Sequence, residues 1–117
     1  MDGAMAAMKE KLNRLLKEAA QVSVALDRSD GTIAGVPHYS AIEARAHELG
    51  QQLSREIQAR QMRELAAGRT ATAPCPACRA RCELEFKKRT VTSIDGPVEV
   101  QELRGYCLAC RRAFFPR

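Results

Sequence analysis

Aromatic side chains are scarce: three Phe, two Tyr and no Trp among 117 residues. The apolar content is carried by Ala, Leu, Val and Ile, which argues against one large core and for small modules held by more than burial. No apolar run approaches the roughly eighteen residues of a membrane span, so no membrane partner is expected. The start, Met1-Asp2-Gly3, lacks the basic stretch and apolar segment of a secretory signal. A cytoplasmic, reducing setting is therefore expected, in which paired cysteines are metal ligands rather than disulfides. Catalytic patterns are missing too. There is no glycine-rich phosphate loop and no Ser/His/Asp constellation, and Asp27, Asp30 and Asp95 fall in turn sequences. The sequence thus points away from an enzyme and from a small-molecule substrate.

What the chain does have is positive charge, five cysteines and two helical patterns. The formal charge of +5 is uneven. Residues 1–73 hold ten Lys/Arg against nine Asp/Glu, and residues 74–117 hold nine against five. A basic C-terminal part fits a polyanion such as DNA, the alternative being an ordinary solvated surface.

A first helix is expected over residues 4–26. Met5, Met8, Leu12, Leu15, Ala19, Val22 and Leu26 are spaced by alternating threes and fours, a heptad seam. Packing of this seam on the chain's own second helix is expected; a homodimer through it is the alternative. Asp27 to Gly31 should stop the helix. Ser40 followed by Glu43 has the form of a capping box, which predicts a second helix over residues 41–67. Its seam is Ile42, Ala46, Leu49, Leu53 and Ile57, and Gly50 would allow close approach to the first helix. Together residues 1–67 predict an antiparallel helical hairpin. Residues 68–74, rich in small side chains, read as a linker.

Beyond it the period changes to two. Leu84 and Phe86 alternate with Glu83, Glu85 and Lys87; Thr90 to Ile94 is rich in β-formers; Asp95-Gly96-Pro97 marks a turn; Val98 and Val100 alternate with Glu99 and Gln101. Gly105 suggests a bulge or a tight approach, and Ala113 to Phe115 a short closing strand. Flanking these strands are Cys75-Pro76-Ala77-Cys78 and Cys107-Leu108-Ala109-Cys110. A CxxC loop aims two sulfurs at one ion, and two such loops complete the tetrahedral four-thiolate shell that structural Zn²⁺ prefers. Metal binding would supply the folding energy that so small a ribbon lacks. The fold class expected is therefore α+β: the helical hairpin, then a four-cysteine zinc ribbon of short antiparallel strands over residues 75–117. A closed thiolate shell makes Zn²⁺ structural, not catalytic.

A dithiol redox protein is the competing interpretation of the CxxC pairs, but no βαβ setting accompanies them. Cys82 reads as a free thiol beside the site, with replacement of Cys78 as the alternative. His38 and His47 are remote from the cysteines and read as structural or solvated. Arg79 stands where many such loops place Gly. Arg79, Arg81, Lys87, Lys88, Arg89, Arg104, Arg111 and Arg112 surround the ribbon and are the candidate phosphate contacts, the alternative being that they solvate the sheet and offset the zinc–thiolate charge.

The run from Gly35-Val36-Pro37-His38-Tyr39-Ser40 through Leu53-Ser54-Arg55-Glu56-Ile57 resembles the N-terminal region of insertion-sequence transposases of the ISKra type. So do the cysteine ribbon, its Ser93-Ile94-Asp95-Gly96-Pro97 turn and the terminal Phe114-Phe115-Pro116. In that family a catalytic domain of the DDE class follows the ribbon, and this chain ends before any such domain. The resemblance implies a DNA-binding accessory region without catalytic residues, nucleoid-associated within the cytoplasm. A zinc-stabilised protein-interaction or oligomerisation module is the alternative from another class.

Overall fold

A computed structural model describes residues 2–68 and 71–116. Two helices precede a four-stranded antiparallel sheet, so the class is α+β as expected. Helix α1 spans Asp2–Ser29 and α2 spans Tyr39–Ala67, each a turn or less beyond the expected limits. The strands are β1 (Thr72–Pro74), β2 (Arg81–Ser93), β3 (Gly96–Cys107) and β4 (Arg112–Phe114), in the order β1-β2-β3-β4. No helix among the described residues is long and apolar enough to cross a membrane.

The chain divides into two compact units, one up to Ala46 and one from His47 onward. In the first, the last turn of α1 meets the first turns of α2. Asp27 is buried, and Arg45 Nε donates to both of its carboxylate oxygens at 3.0 and 3.1 Å. Pairing is what makes burial of that charge tolerable. The seam of α1 is not buried: Met5, Met8, Leu12, Leu15, Val22 and Leu26 all stay exposed, Met8 at 66%. At Gly50, in the interior of α2, a built Cβ meets open space.

The cap of α2 also differs from the expected box. Tyr39 already belongs to the helix, so the residue before it, His38, takes the capping role. Its carbonyl accepts from the Ala41 N–H at 3.0 Å, and its Nδ1 accepts from the Ser40 N–H at 3.2 Å. The cap is a short polar acceptor at the right place, supplied by a ring nitrogen instead of the Ser40 hydroxyl. His38 is thus structural, as expected.

In the second unit the strands are longer than the sequence suggested. Cys82 to Ser93 reads as two short β-rich pieces, yet β2 is one strand of thirteen residues paired with β3 without interruption from Leu84↔Gly105 to Ser93↔Gly96. Lys87, Lys88 and Arg89 break the alternation in sequence; Lys88 and Arg89 make cross-strand ion pairs with Glu99 and Glu102 of β3, and Lys87 pairs with Glu85 of its own strand. The linker expected at 68–74 is partly strand, because Thr72–Pro74 pairs with Arg81–Glu83. Pro74 suits this edge position, where no ladder N–H is needed. Arg69 and Thr70 of that linker lie outside the described residues.

The C-terminal half of α2 is tied to the far end of the sheet. Gly96, at φ 108°, lets the β2–β3 turn close. The Ser54 hydroxyl donates to Asp95 Oδ2 at 2.6 Å, and Arg55 donates to the Asp95 carbonyl at 2.8 Å. The two sequence strings around Ser54 and Asp95 thus meet in space.

Candidate metal centre

The meander explains how the cysteines meet. Each CxxC is the tip of a hairpin, the first between β1 and β2 (Pro74↔Arg81), the second between β3 and β4 (Cys107↔Arg112). The intervening β2–β3 hairpin turns at the opposite end, so both tips arrive side by side. The ligand atoms of Cys75, Cys78, Cys107 and Cys110 all lie within 4.8 Å of one another. Two of the separations are 3.9 Å (Cys75–Cys110) and 3.5 Å (Cys78–Cys107). Four sulfurs at about 2.3 Å from a tetrahedral ion are about 3.8 Å apart, so the cluster has the dimensions of a four-thiolate metal site.

The backbone completes each loop in the same way. The Arg79 N–H donates to the Cys75 carbonyl at 2.8 Å, and the Arg111 N–H to the Cys107 carbonyl at 2.7 Å. Closing these turns puts Arg79 at φ 65° and Arg111 at φ 55°, the left-handed region in which glycine is the usual occupant. The anomaly of an arginine after Cys78 is therefore a backbone fact, and it recurs after Cys110. Amide groups also point at the sulfurs. The N–H groups of Cys78 and Ala77 bring the Cys75 thiol down to about 6 from its ordinary 9.0. The N–H of Cys110, 3.4 Å from the Cys107 sulfur, lowers that thiol as well. Hydrogen bonds of the Cys110 thiol to the sulfurs of Cys78, Cys75 and Cys107 hold its proton and push it up to about 12, with burial adding to the effect. A cation at the centre would take the place of that shared proton, since thiolates are the form that ligates metal.

Burial grades the four ligands. Cys107 and Cys75 are 1% and 3% exposed, Cys110 is half-buried and Cys78 faces solvent. Cys82 joins Cys75 and Cys107 in the small core of this end, with Phe114 against them. Its thiol donates to the Ala80 carbonyl at 3.3 Å, and burial pushes it up, so it stays a protonated packing group outside the four-sulfur cluster. Gly105 provides the close approach anticipated for it, without a bulge: it pairs with both Leu84 and Phe114, and a Cβ there would stand 2.5 Å from the Phe114 ring.

The eight candidate phosphate contacts separate. Lys87 and Arg104 pair with Glu85, Lys88 with Glu99, and Arg89 makes a two-pronged bond to Glu102 at 2.8 and 2.9 Å while lying over the Phe115 ring. Arg81 donates to the Thr72 hydroxyl. Arg79, Arg111 and Arg112 are exposed and have no ion-pair partner among the described residues. His47 is exposed on α2, away from the cluster in sequence and absent from it in space.

Sequence reasoning found the four cysteines but missed β1 and the amide donors. The signal for β1 was available, since a hairpin-tip CxxC needs a strand on each side. Compared with known proteins, the chain matches no family model, no curated protein and no solved structure.

Proposed function

We propose that residues 71–116 form a structural zinc module that contacts DNA backbone phosphates, as part of the non-catalytic accessory region of a protein resembling insertion-sequence transposases of the ISKra type. Zn²⁺ suits an all-thiolate, closed, tetrahedral donor set, and it would fix both hairpin tips without offering a reactive position. Cys75, Cys78, Cys107 and Cys110 would hold it.

The observation that carries the DNA reading is the set Arg79, Arg111 and Arg112. They are exposed and have no ion-pair partner among the described residues, whereas most of the other basic candidates are engaged with glutamates. Two of them occupy backbone positions that favour glycine, and the charged side chain is present despite that cost. Their positive charge at the tips more than offsets the net charge of −2 that four thiolates and one Zn²⁺ would carry.

The test is a DNA titration of zinc-loaded protein over a range of salt. Three phosphate contacts give a slope of log K on log salt of about −3, from roughly −0.9 per contact. Replacing Arg79, Arg111 and Arg112 together by Ala should remove most of that slope, and replacing Lys87 and Lys88 should leave most of it. No measurable binding at low salt would leave the second reading, a zinc-stabilised interaction module, which the exposed seam of α1 favours.

A further inference from the structure

The a and d side chains of α1 form an exposed apolar seam flanked by charged residues. Seven apolar residues recur at heptad positions a (Met5, Leu12, Ala19, Leu26) and d (Met8, Leu15, Val22). The connection to α2 engages a different side of the helix. Asp27, at position b, is buried against Arg45, and Val24 and Arg28 at f and c line the same cleft of about 190 Å³. The a and d side chains are left exposed over more than three heptads.

We infer that α1 pairs with α1 of a second copy of this chain as an antiparallel coiled coil centred between Leu12 and Leu15. In that register each a residue faces a d residue, and the layers read Met5 with Val22, Met8 with Ala19, and Leu12 with Leu15 of the second copy. The sequence numbers of every such pair sum alike, so one alignment satisfies all layers. Each of the outer layers sets a flexible Met against a smaller side chain, which keeps the volumes even. A parallel, in-register pair would stack Ala19 on Ala19 and leave a void between larger layers.

The flanks make the same choice. Antiparallel helices pair like flanks, g with g and e with e. The register above sets Lys11 beside Glu18 of the second copy, and Glu18 beside its Lys11. On the other flank Lys9 lies along Leu16 of the second copy, where its aliphatic stem covers the exposed leucine. A parallel pair would instead set g against e of the following heptad. Lys11 would then meet Leu16, and Glu18 would meet Ser23, with no ion pair at all. Charge and volume thus select the same partner and the same orientation, and the connections to α2 then leave from opposite ends of the coil.

Sedimentation equilibrium of the full, zinc-loaded chain tests this. Wild type should be a dimer. Lys11→Glu alone turns two attractions into two repulsions, and Glu18→Lys does the same, so each variant should self-associate roughly tenfold more weakly. Both changes lie outside the seam, and helicity by circular dichroism should hold at the concentrations where each still pairs. Mixing the two variants restores both ion pairs, so the mixture should dimerise at least as tightly as wild type. A monomeric wild type, or a mixture no tighter than the separate variants, would overturn the inference. The second outcome would mean a parallel pair or a different register.

Discussion

Gly105→Ala tests how the metal end of the ribbon is held together. The added methyl would lie 2.5 and 2.8 Å from two carbons of the Phe114 ring and 3.0 Å from Leu84 Cδ2. Real carbon–carbon contacts begin near 3.5 Å, so the ring must move by about 1 Å. Phe114 cannot move freely, because β4 pairs with β3 at this residue and the ring covers the cluster of Cys75, Cys82 and Cys107. Overpacking of this kind costs about 1–3 kcal/mol. Where the metal-free ribbon is largely unfolded and metal binds only the folded form, a 2 kcal/mol loss lowers metal affinity roughly thirtyfold. Competition for Zn²⁺ against a chromophoric chelator reads that change. The decisive comparison is a double-mutant cycle with Phe114→Ala. Removing the ring removes the clash, so Gly105→Ala should then cost less than about 0.5 kcal/mol, the ordinary scale of a tolerated surface change. An equal cost in both backgrounds would refute the packing account and put the effect in the backbone of β3.

Four other outcomes follow. Cys75→Ser, Cys78→Ser, Cys107→Ser and Cys110→Ser should each abolish stoichiometric binding of one Zn²⁺ per chain, while Cys82→Ala keeps it; loss of metal in Cys82→Ala by elemental analysis would mean the ligand set is wrong. Arg79→Gly or Arg111→Gly relieves a left-handed residue and should stabilise the zinc-loaded ribbon by up to ~1 kcal/mol in thermal melts, while weakening DNA binding. Gly50→Ala meets open space in the interior of α2 and should stabilise the protein by about 0.5–1 kcal/mol in denaturant titrations; a destabilisation would show a constraint on that backbone. The fourth concerns pH. Cys75, lowered to about 6 from 9.0, binds fewer protons in the folded metal-free loop than in the unfolded chain throughout that window. Its contribution to stability is therefore complete above pH 9 and is lost as pH falls through about 6. Zinc affinity should accordingly gain an additional proton dependence below pH 6, and an affinity curve with no break there would contradict the amide-stabilised thiolate.

Much of the site was legible because its chemistry is local. Two sulfurs three residues apart, twice, almost force a shared ion, and the alternation from Cys82 to Cys107 names the strands that join them. Elsewhere pattern and packing parted. The alternation of β2 fails across Lys87, Lys88 and Arg89, yet the strand continues, because partners on β3 supply glutamates where alternation supplies nothing. Eight basic residues look equivalent in sequence. The sheet register makes most of them structural and leaves Arg79, Arg111 and Arg112 exposed and without an ion-pair partner among the described residues.

By itself the sequence determined the two helices, the strand period and the identity of the four clustered cysteines, since each follows from spacings of a few residues along the chain. Only the tertiary structure decided that both CxxC loops sit at one end of a meander, that arginines there adopt a glycine conformation, that Gly105 makes room for Phe114, and that the seam of α1 stays open. These depend on strand register and on which faces meet. Both are set by pairings between residues distant in sequence, whose energies no local spacing records.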